Sequence, residues 1–495
     1  MKSHEQLESH FGRIGALQEA TGVLHWDMSV MMPPGGAEAR AEQLAAMKRV
    51  VHELMTGAEL ADWLDEAEAT PPDDPWACAN VREMRRLWRH AVALDGALVE
   101  ALSRAASRCE MIWREARPKG DFAMVAPSLA ELMALVREEA AAKADAFGVT
   151  PYEALLDQYE PGCDIATIDA LFDDLAEFLP GFLARVLDRA AGAPAPVAPE
   201  GPFPVAAQRA LAERLMGHIG FDFEHGRLDV SLHPFCGGVP DDVRITTRYE
   251  EGDFSQSLMG VLHETGHAMY ERGLPPLWRR QPVGEARGMA MHESQSLLIE
   301  MQVCRGREFL RFAAPLMREA FAGTGPAWET DNLYRLYTRV APDFIRVDAD
   351  EVTYPAHVIL RTRLERALID GAMEIVDLPA AWNQAMDKLL GVTPPSDREG
   401  CLQDIHWFSG SVGYFPTYTM GALAAAQLYA AARRAEPDIP AAISRGDFAP
   451  LMGWLGSHVH AKGSLDSADD ILTAATGAPL GTAAFKAHLE ARYLA

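Results

Sequence analysis

Hydrophobic residues recur at helical spacing over most of the chain, and Ala, Leu, Glu and Arg fill many of the positions between them. Because these residue types are strong helix formers, the pattern predicts a mainly α-helical protein. Helical patterns resume near residue 290 and continue to the C-terminus, where the Ala-rich stretch 420–432 is interpreted as a buried helix. The clearest helical runs before residue 220 are 37–55, 75–116, 128–146, 165–190 and 205–217.

A proline-rich segment interrupts the helical pattern after residue 191. Residues 192–204 contain five prolines and are predicted to form a semi-rigid surface connection. They separate an N-terminal helical region, residues 1–191, from residues 205–495, which contain the motifs with the clearest chemistry. We expect residues 1–495 to form one functional unit.

Extended structure is predicted just ahead of a central helix. Residues 221–223 and 227–231 suggest short extended pieces, and 242–249 alternate polar with β-branched residues, which is typical of a strand. Asp253 can cap a helix that begins near residue 254 and ends near 272. The sequence therefore predicts a small β-sheet beside this helix.

Composition narrows the possible functions. The chain has 495 residues, of which 48% are hydrophobic, so it can bury a large core without disulfides or metals. A net charge of −26 argues against nucleic-acid binding, which requires a basic surface. Cysteines are dispersed, and we recognise no signal peptide and no membrane-spanning segment. We expect a cytoplasmic protein without nucleic-acid or membrane partners.

The central helix contains an H-E-x-x-H pattern, His263-Glu264-Thr265-Gly266-His267. Residues i and i+4 share a helix face, so both imidazoles can bind one zinc ion. Glu264 can then accept a proton from the attacking water without binding the metal. Gly266 leaves room for another element to pack closely. The alternative is a chance match with solvated histidines, because the pattern is short.

A catalytic zinc needs a third protein ligand and one open position. Gly273 stands where a metzincin has its third histidine, so a later acid is required. Glu293, at the start of a helical run, is the predicted ligand, and Glu300 is the competing one. His292 or Gln295 could orient the ligands through hydrogen bonds.

Other residues could serve the substrate side of a peptidase. Tyr414 and Tyr418 offer phenols that can donate to an oxyanion, although either could simply pack. Arg346 lies among acids and is either a structural ion pair or a carboxylate-binding group. His233 and His406 either bind substrate or fill core positions. We find no nucleophile elbow or Walker loop to support another chemistry.

Together these residues resemble the carboxypeptidase Taq family of zinc metallocarboxypeptidases. Similarity extends upstream to His25-Trp26-Asp27 and downstream past residue 413, so it spans nearly the whole chain. Six signatures occur in the family's order: His233-Pro234-Phe235, Asp242-x-Arg244-x-Thr246, His263-Glu264-Thr265-Gly266-His267, His292-Glu293-Ser294-Gln295, Ile345-Arg346-x-x-Ala349-Asp350 and Gly400-x-x-Gln403-Asp404-x-His406-Trp407.

The resemblance implies a helical zincin-like fold with a deep groove, usually as a homodimer. It implies Zn²⁺ (or Co²⁺) bound by His263, His267 and Glu293, with Glu264 as general base. Broad removal of C-terminal residues from peptides, with proline disfavoured, is the implied activity.

The resemblance also implies how a peptide is held. Arg346 would bind its terminal carboxylate. Asp242, Arg244 and Thr246 would lie on an edge strand that pairs with the extended substrate. Two alternatives remain open: a zinc oligopeptidase that cuts inside short peptides, and a catalytically silent peptide-binding protein. The intact metal-ligand set argues against the second.

Overall fold

The structure, a computed structural model, describes residues 2–495 and confirms the mainly helical prediction. The helices before the sheet are Ser3–Val30, Ala37–Met55, Ala58–Ala69, Pro75–Val92, Gly96–Lys119, Phe122–Phe147, Pro151–Leu156, Ile165–Ala191 and Val205–Ile219. Those after it are Phe254–Gly273, Gly288–Leu297, Arg307–Ala320, Thr330–Tyr337, Tyr354–Ile369, Leu378–Leu390, Pro416–Ala435, Ile439–Ile443, Ala449–His458, Ala468–Thr476 and Ala483–Tyr493. A π-helical segment, Leu298–Cys304, continues directly from Gly288–Leu297.

Capping residues explain why one predicted helix boundary is correct and another is wrong. The central helix begins as predicted, because the Asp253 carboxylate accepts a hydrogen bond from the Ser255 amide at 2.8 Å. The single run predicted over 75–116 is wrong. It is two helices, and Asp95 caps the second by accepting from the Leu98 amide at 2.8 Å.

The sheet has three strands: β1 (Gly226–Val230), β2 (Cys236–Val239) and β3 (Asp242–Thr247). β3 lies in the middle, parallel to β1 and antiparallel to β2. The prediction that Asp242, Arg244 and Thr246 lie on an edge strand is therefore wrong, since both edges of β3 are already paired. Residues 221–223 form no strand, and sequence reasoning missed β2, whose glycines give little strand signal.

The main hydrophobic core draws on residues from 105 to 489 and includes the Ala-rich helix Pro416–Ala435, which is buried as predicted. A smaller cluster joins Leu7, Phe11, Leu60 and Met84 in the N-terminal helices. Residues 194–204 contain no helix, as the prolines predict. The division of the chain at this segment stays a prediction. No helix within residues 2–495 is long and apolar enough to cross a membrane.

Candidate active site

The site is built where two helices cross at a glycine. Phe254–Gly273 carries the two histidines, and Gly288–Leu297 carries Glu293. A Cβ atom on Gly266 would lie 2.4 Å from the carbonyl oxygen of Gln295, closer than side chains tolerate. Glycine therefore permits the close approach that the sequence predicted at this position.

The crossing brings His263, His267 and Glu293 together. Their candidate ligand atoms all lie within 4.8 Å of one another. The Glu293 Oε2 atom is 3.3 Å from His267 Nε2 and 3.8 Å from His263 Nε2. Ligands about 2.0–2.1 Å from a tetrahedral metal are themselves about 3.3 Å apart, so this spacing fits a metal ion.

Hydrogen bonds on the far side of each imidazole fix the tautomers. His263 Nδ1 lies 3.0 Å from a Glu300 carboxylate oxygen, and His267 Nδ1 lies 3.1 Å from the carbonyl oxygen of His292. Both oxygens only accept, so a neutral imidazole at either position would carry its proton on Nδ1 and leave Nε2 as the nitrogen available to a metal. This arrangement supports metal ligands in known proteins. His267 Nδ1 also lies 2.7 Å from His292 Nδ1.

Further contacts hold these supporting groups. Arg305 donates to Glu300 at 2.6 Å, and Glu271 lies 2.7 Å from His292 Nε2. Glu300, predicted as a competing ligand, instead supports His263. Gln295 is bonded to Ser294 and His460, not to a predicted ligand.

The electrostatics of the site favour a cation. Burial lowers the pKa of His263, but the carboxylates of Glu293, Glu300 and Glu264 raise it to about 10. Burial raises the pKa of Glu264 to about 7, against the opposing effect of His263. Glu264 is buried and its Oε2 has no hydrogen-bond partner among the described residues. Donor types, spacing, tautomers and charge thus all fit a bound divalent metal.

A second cluster lies around Arg346, which is buried. Its Nε and Nη2 atoms donate to one oxygen of Asp404 at 3.2 and 2.9 Å. Arg361 donates to the other oxygen at 2.7 Å. The guanidinium of Arg346 also stacks 4.6 Å from the ring centroid of Tyr418.

Phenols connect this arginine cluster to the metal ligands. The ring centroid of Tyr418 lies 6.4 Å from that of Tyr354 and 5.1 Å from that of Tyr414. Burial is the main cause that raises the pKa of all three phenols, and the charge of Glu293 adds to it. His406 Nε2 lies 3.2 Å from the hydroxyl of Tyr418. The phenols stay protonated at neutral pH and can donate hydrogen bonds to a substrate oxygen.

A sequence profile of the carboxypeptidase Taq (M32) metallopeptidases matches residues 6–493. The chain belongs to this family. It is therefore a metallocarboxypeptidase, a hydrolase. Thermostable carboxypeptidase 1 of Thermus thermophilus is 40% identical over 481 residues, covering 95% of this chain and 94% of the relative.

Solved structures agree with this assignment. Metallocarboxypeptidase 1 of Trypanosoma cruzi is 41% identical and superposes with a TM-score of 0.98 over 100% of both chains. A carboxypeptidase of Pyrococcus furiosus in an Apo-Mg form is 32% identical, with a TM-score of 0.95 over 100% of this chain and 99% of the other. The predicted family and fold class are confirmed.

The remaining substrate-binding residues predicted for this metallocarboxypeptidase differ in their exposure and in their contacts. His233 is exposed, and its carbonyl oxygen accepts from the Ser231 hydroxyl. Arg244 is held by Asp242 at 3.0 Å and stacks 4.4 Å from the Trp26 ring. Thr246 is fully buried. Substrate binding by Asp242, Arg244 or His233 stays a prediction, whereas the Thr246 side chain is enclosed by the protein.

Sequence reasoning missed several residues of this metallocarboxypeptidase. Tyr354 packs edge to face with Tyr418, with the ring centroids 6.4 Å apart, and Arg361 shares Asp404 with Arg346. Neither residue belongs to a signature quoted above. Glu300 was predicted only as a competing ligand, although its spacing of two helical turns after Glu293 places both on one face, where it can also support a ligand.

Proposed function

We propose that this enzyme is a zinc-dependent carboxypeptidase that removes residues from the C-terminus of peptides, with broad preference and with C-terminal proline disfavoured. One observation carries the exopeptidase assignment: the buried Arg346 stacks on Tyr418, whose helix packs against Glu293 at Gly421. An arginine buried at a peptidase site is suited to a substrate carboxylate, which also needs a charged partner once water is excluded. Specificity and the choice of zinc rest on the family resemblance.

The proposed ligands are His263, His267 and Glu293. A metal bound there would polarise the scissile carbonyl and lower the pKa of the attacking water. Glu264 takes the proton from that water and later gives it to the leaving amine. The unpartnered and buried Glu264 oxygen supports this role, since it is free to accept a proton.

On the substrate side, Arg346 binds the terminal carboxylate. Asp404 occupies its Nε and Nη2, so Nη1 is left for the peptide. Tyr414 and Tyr418 donate to the developing oxyanion, and His406 orients Tyr418. Because Arg346 and the phenols Tyr414 and Tyr418 lie together, a peptide whose terminal carboxylate is bound by Arg346 would be cleaved next to its C-terminal end.

The sheet contributes through another strand than predicted. β2 packs against the helix Phe254–Gly273, which carries Glu264. β2 is also an edge strand. A peptide that extends the sheet would pair with β2 instead of β3.

The test compares free-acid peptides with the matching amides. Arg346→Ala should lower kcat/KM for acids, because truncating one partner of a buried charge pair costs about 2–5 kcal/mol, or about 30- to 5,000-fold. Amides should lose much less. The exposed Arg339 supplies a control, Arg339→Ala, which should change neither rate.

An acid-to-amide ratio that is the same in Arg346→Ala and the parent would show that Arg346 is structural. Equal cleavage of acids and amides by the parent would favour an oligopeptidase. Metal analysis of purified protein decides between zinc and cobalt. Homodimer formation and a cytoplasmic location stay predictions, which sedimentation and fractionation would test.

A further inference from the structure

Two buried arginines share a single carboxylate in this enzyme. Arg346 binds one oxygen of Asp404 and Arg361 binds the other. Arg361 is fully buried, with its guanidinium 4.4 Å from the ring centroid of Trp382 and 5.6 Å from that of Phe415. A buried ion pair normally has one partner for each charge, because an uncompensated buried charge is costly.

Neighbouring histidines do not add or remove charge at neutral pH. His357 is fully buried, and neither of its ring nitrogens has a hydrogen-bond partner among the described residues. Burial, followed by the charge of Arg361, lowers the pKa of His357 to about 3. Burial also lowers the pKa of His406 to about 4, although Asp404 opposes this shift. Both rings are therefore neutral.

Among residues 2–495, Asp404 is the one acid that forms an ion pair with either arginine. Glu365, on the same helix as Arg361, accepts hydrogen bonds from Tyr152 and Trp407 and forms no ion pair with either arginine in the described range 2–495. Burial lowers the pKa of Arg361 only to about 10, because Asp404 opposes the shift, so the guanidinium keeps its charge. Arg346, Arg361 and Asp404 together carry one net positive charge.

We propose that Arg361 is a positioning residue for the substrate's terminal carboxylate, acting through Asp404 without touching the peptide. This proposal rests on the proposed carboxypeptidase function. Arg361 holds Asp404 so that Arg346 keeps Nη1 free. It also takes up part of the Asp404 charge, so that Arg346 is not fully neutralised before the substrate arrives.

The consequence is a discrimination between acids and amides. A terminal carboxylate compensates the extra charge when it binds, whereas an amide leaves it uncompensated. Without Arg361, Asp404 would neutralise Arg346 alone, and the preference for an anion would weaken. A unit charge about 12 Å away, at an effective dielectric constant of about 20, changes the affinity for an anion by about tenfold.

The experiment measures kcat and KM for a free-acid peptide and its amide in three variants. Arg361→Gln should raise KM for the acid and lower the acid-to-amide ratio of kcat/KM about tenfold. Arg361→Lys, which keeps the charge, should keep the ratio within about threefold of the parent. Arg363→Ala is the matched control, because Arg363 lies on the same helix and pairs with Asp173 at the surface.

The outcomes separate the two proposals. If the parent itself cleaves acids and amides equally, the proposed carboxypeptidase function fails. Suppose that the parent prefers acids and that Arg361→Gln is folded. If this variant then cleaves the acid and the amide less well by the same factor, or cleaves both as well as the parent does, the proposed role of Arg361 fails. Should Arg361→Gln not fold, Arg361→Lys decides, because a collapsed ratio in that variant would overturn the charge argument.

Discussion

Gly266 places the two metal-bearing helices at contact distance, and Gly266→Ala tests whether this contact sets the metal site. The new Cβ would lie 2.4 Å from the Gln295 carbonyl oxygen and 2.6 Å from the Ser296 Cα. Favourable contacts begin near 3.5 Å, so the helices must separate by about 1 Å. Since the obstructing atoms belong to the backbone, no rotamer change can relieve the clash.

A shift of that size would pull Glu293 away from the histidines. Its carboxylate oxygen now lies 3.3 and 3.8 Å from the two Nε2 atoms. Metal–ligand distances tolerate only about ±0.2 Å, so we expect zinc affinity to fall by at least about 10- to 100-fold. Overpacking costs about 1–3 kcal/mol, of which the better helix propensity of alanine offsets about 1 kcal/mol.

Gly260→Ala is the matched control, because Gly260 lies on the same helix and its added Cβ would meet nothing within 4 Å. This variant should be up to about 1 kcal/mol more stable than the parent and bind zinc unchanged. Zinc affinity is measured by competition with a chromophoric chelator, and stability by urea unfolding of the metal-free proteins. Equal zinc affinity in the two alanine variants would refute the argument.

Three further predictions concern separate parts of the enzyme. Glu264→Gln should retain zinc but lose turnover by about 10²–10⁴-fold, and near-normal hydrolysis by the metal-loaded variant would remove Glu264 from its proposed role. Glu300→Gln should weaken zinc binding about 10- to 100-fold, whereas the exposed control Glu319→Gln should not; an unchanged Kd would show that the His263 contact is dispensable. Burial raises the pKa of Glu351, but Arg492 and His488 lower it to about 2, so its stabilising effect is present above pH 4.5 and is lost as the pH falls towards 2. Glu351→Gln should thus cost about 3 kcal/mol of unfolding free energy at pH 7 and progressively less below pH 4.5; a pH-independent difference would contradict this.

The central part of the site could be predicted from residues that are close together in the sequence. His263 and His267 lie four residues apart on a helix that begins after the capping residue Asp253. The histidine spacing and the cap can both be recognised within residues 253–267. Gly266 was interpreted correctly because a glycine inside a helix needs a packing reason. The structure brings Glu293 beside the histidines, and the family resemblance had implied that approach.

Other features depend on contacts between distant segments, which no local pattern contains. The strand Asp242–Thr247 has a clear alternating pattern, but its place in the middle of the sheet depends on the pairing of Cys236–Val239, whose glycines give no strand signal. Arg361 is an ordinary helix residue in the sequence. Its sharing of Asp404 with Arg346 appears only when the chain folds.

The central claim is tested most directly by mass spectrometry of unblocked peptides during digestion. We expect a ladder of products that lose single residues from the C-terminus, no cleavage after chelation, and recovery when zinc is restored. Internal fragments, or digestion that continues unchanged in the chelator, would contradict a zinc-dependent carboxypeptidase.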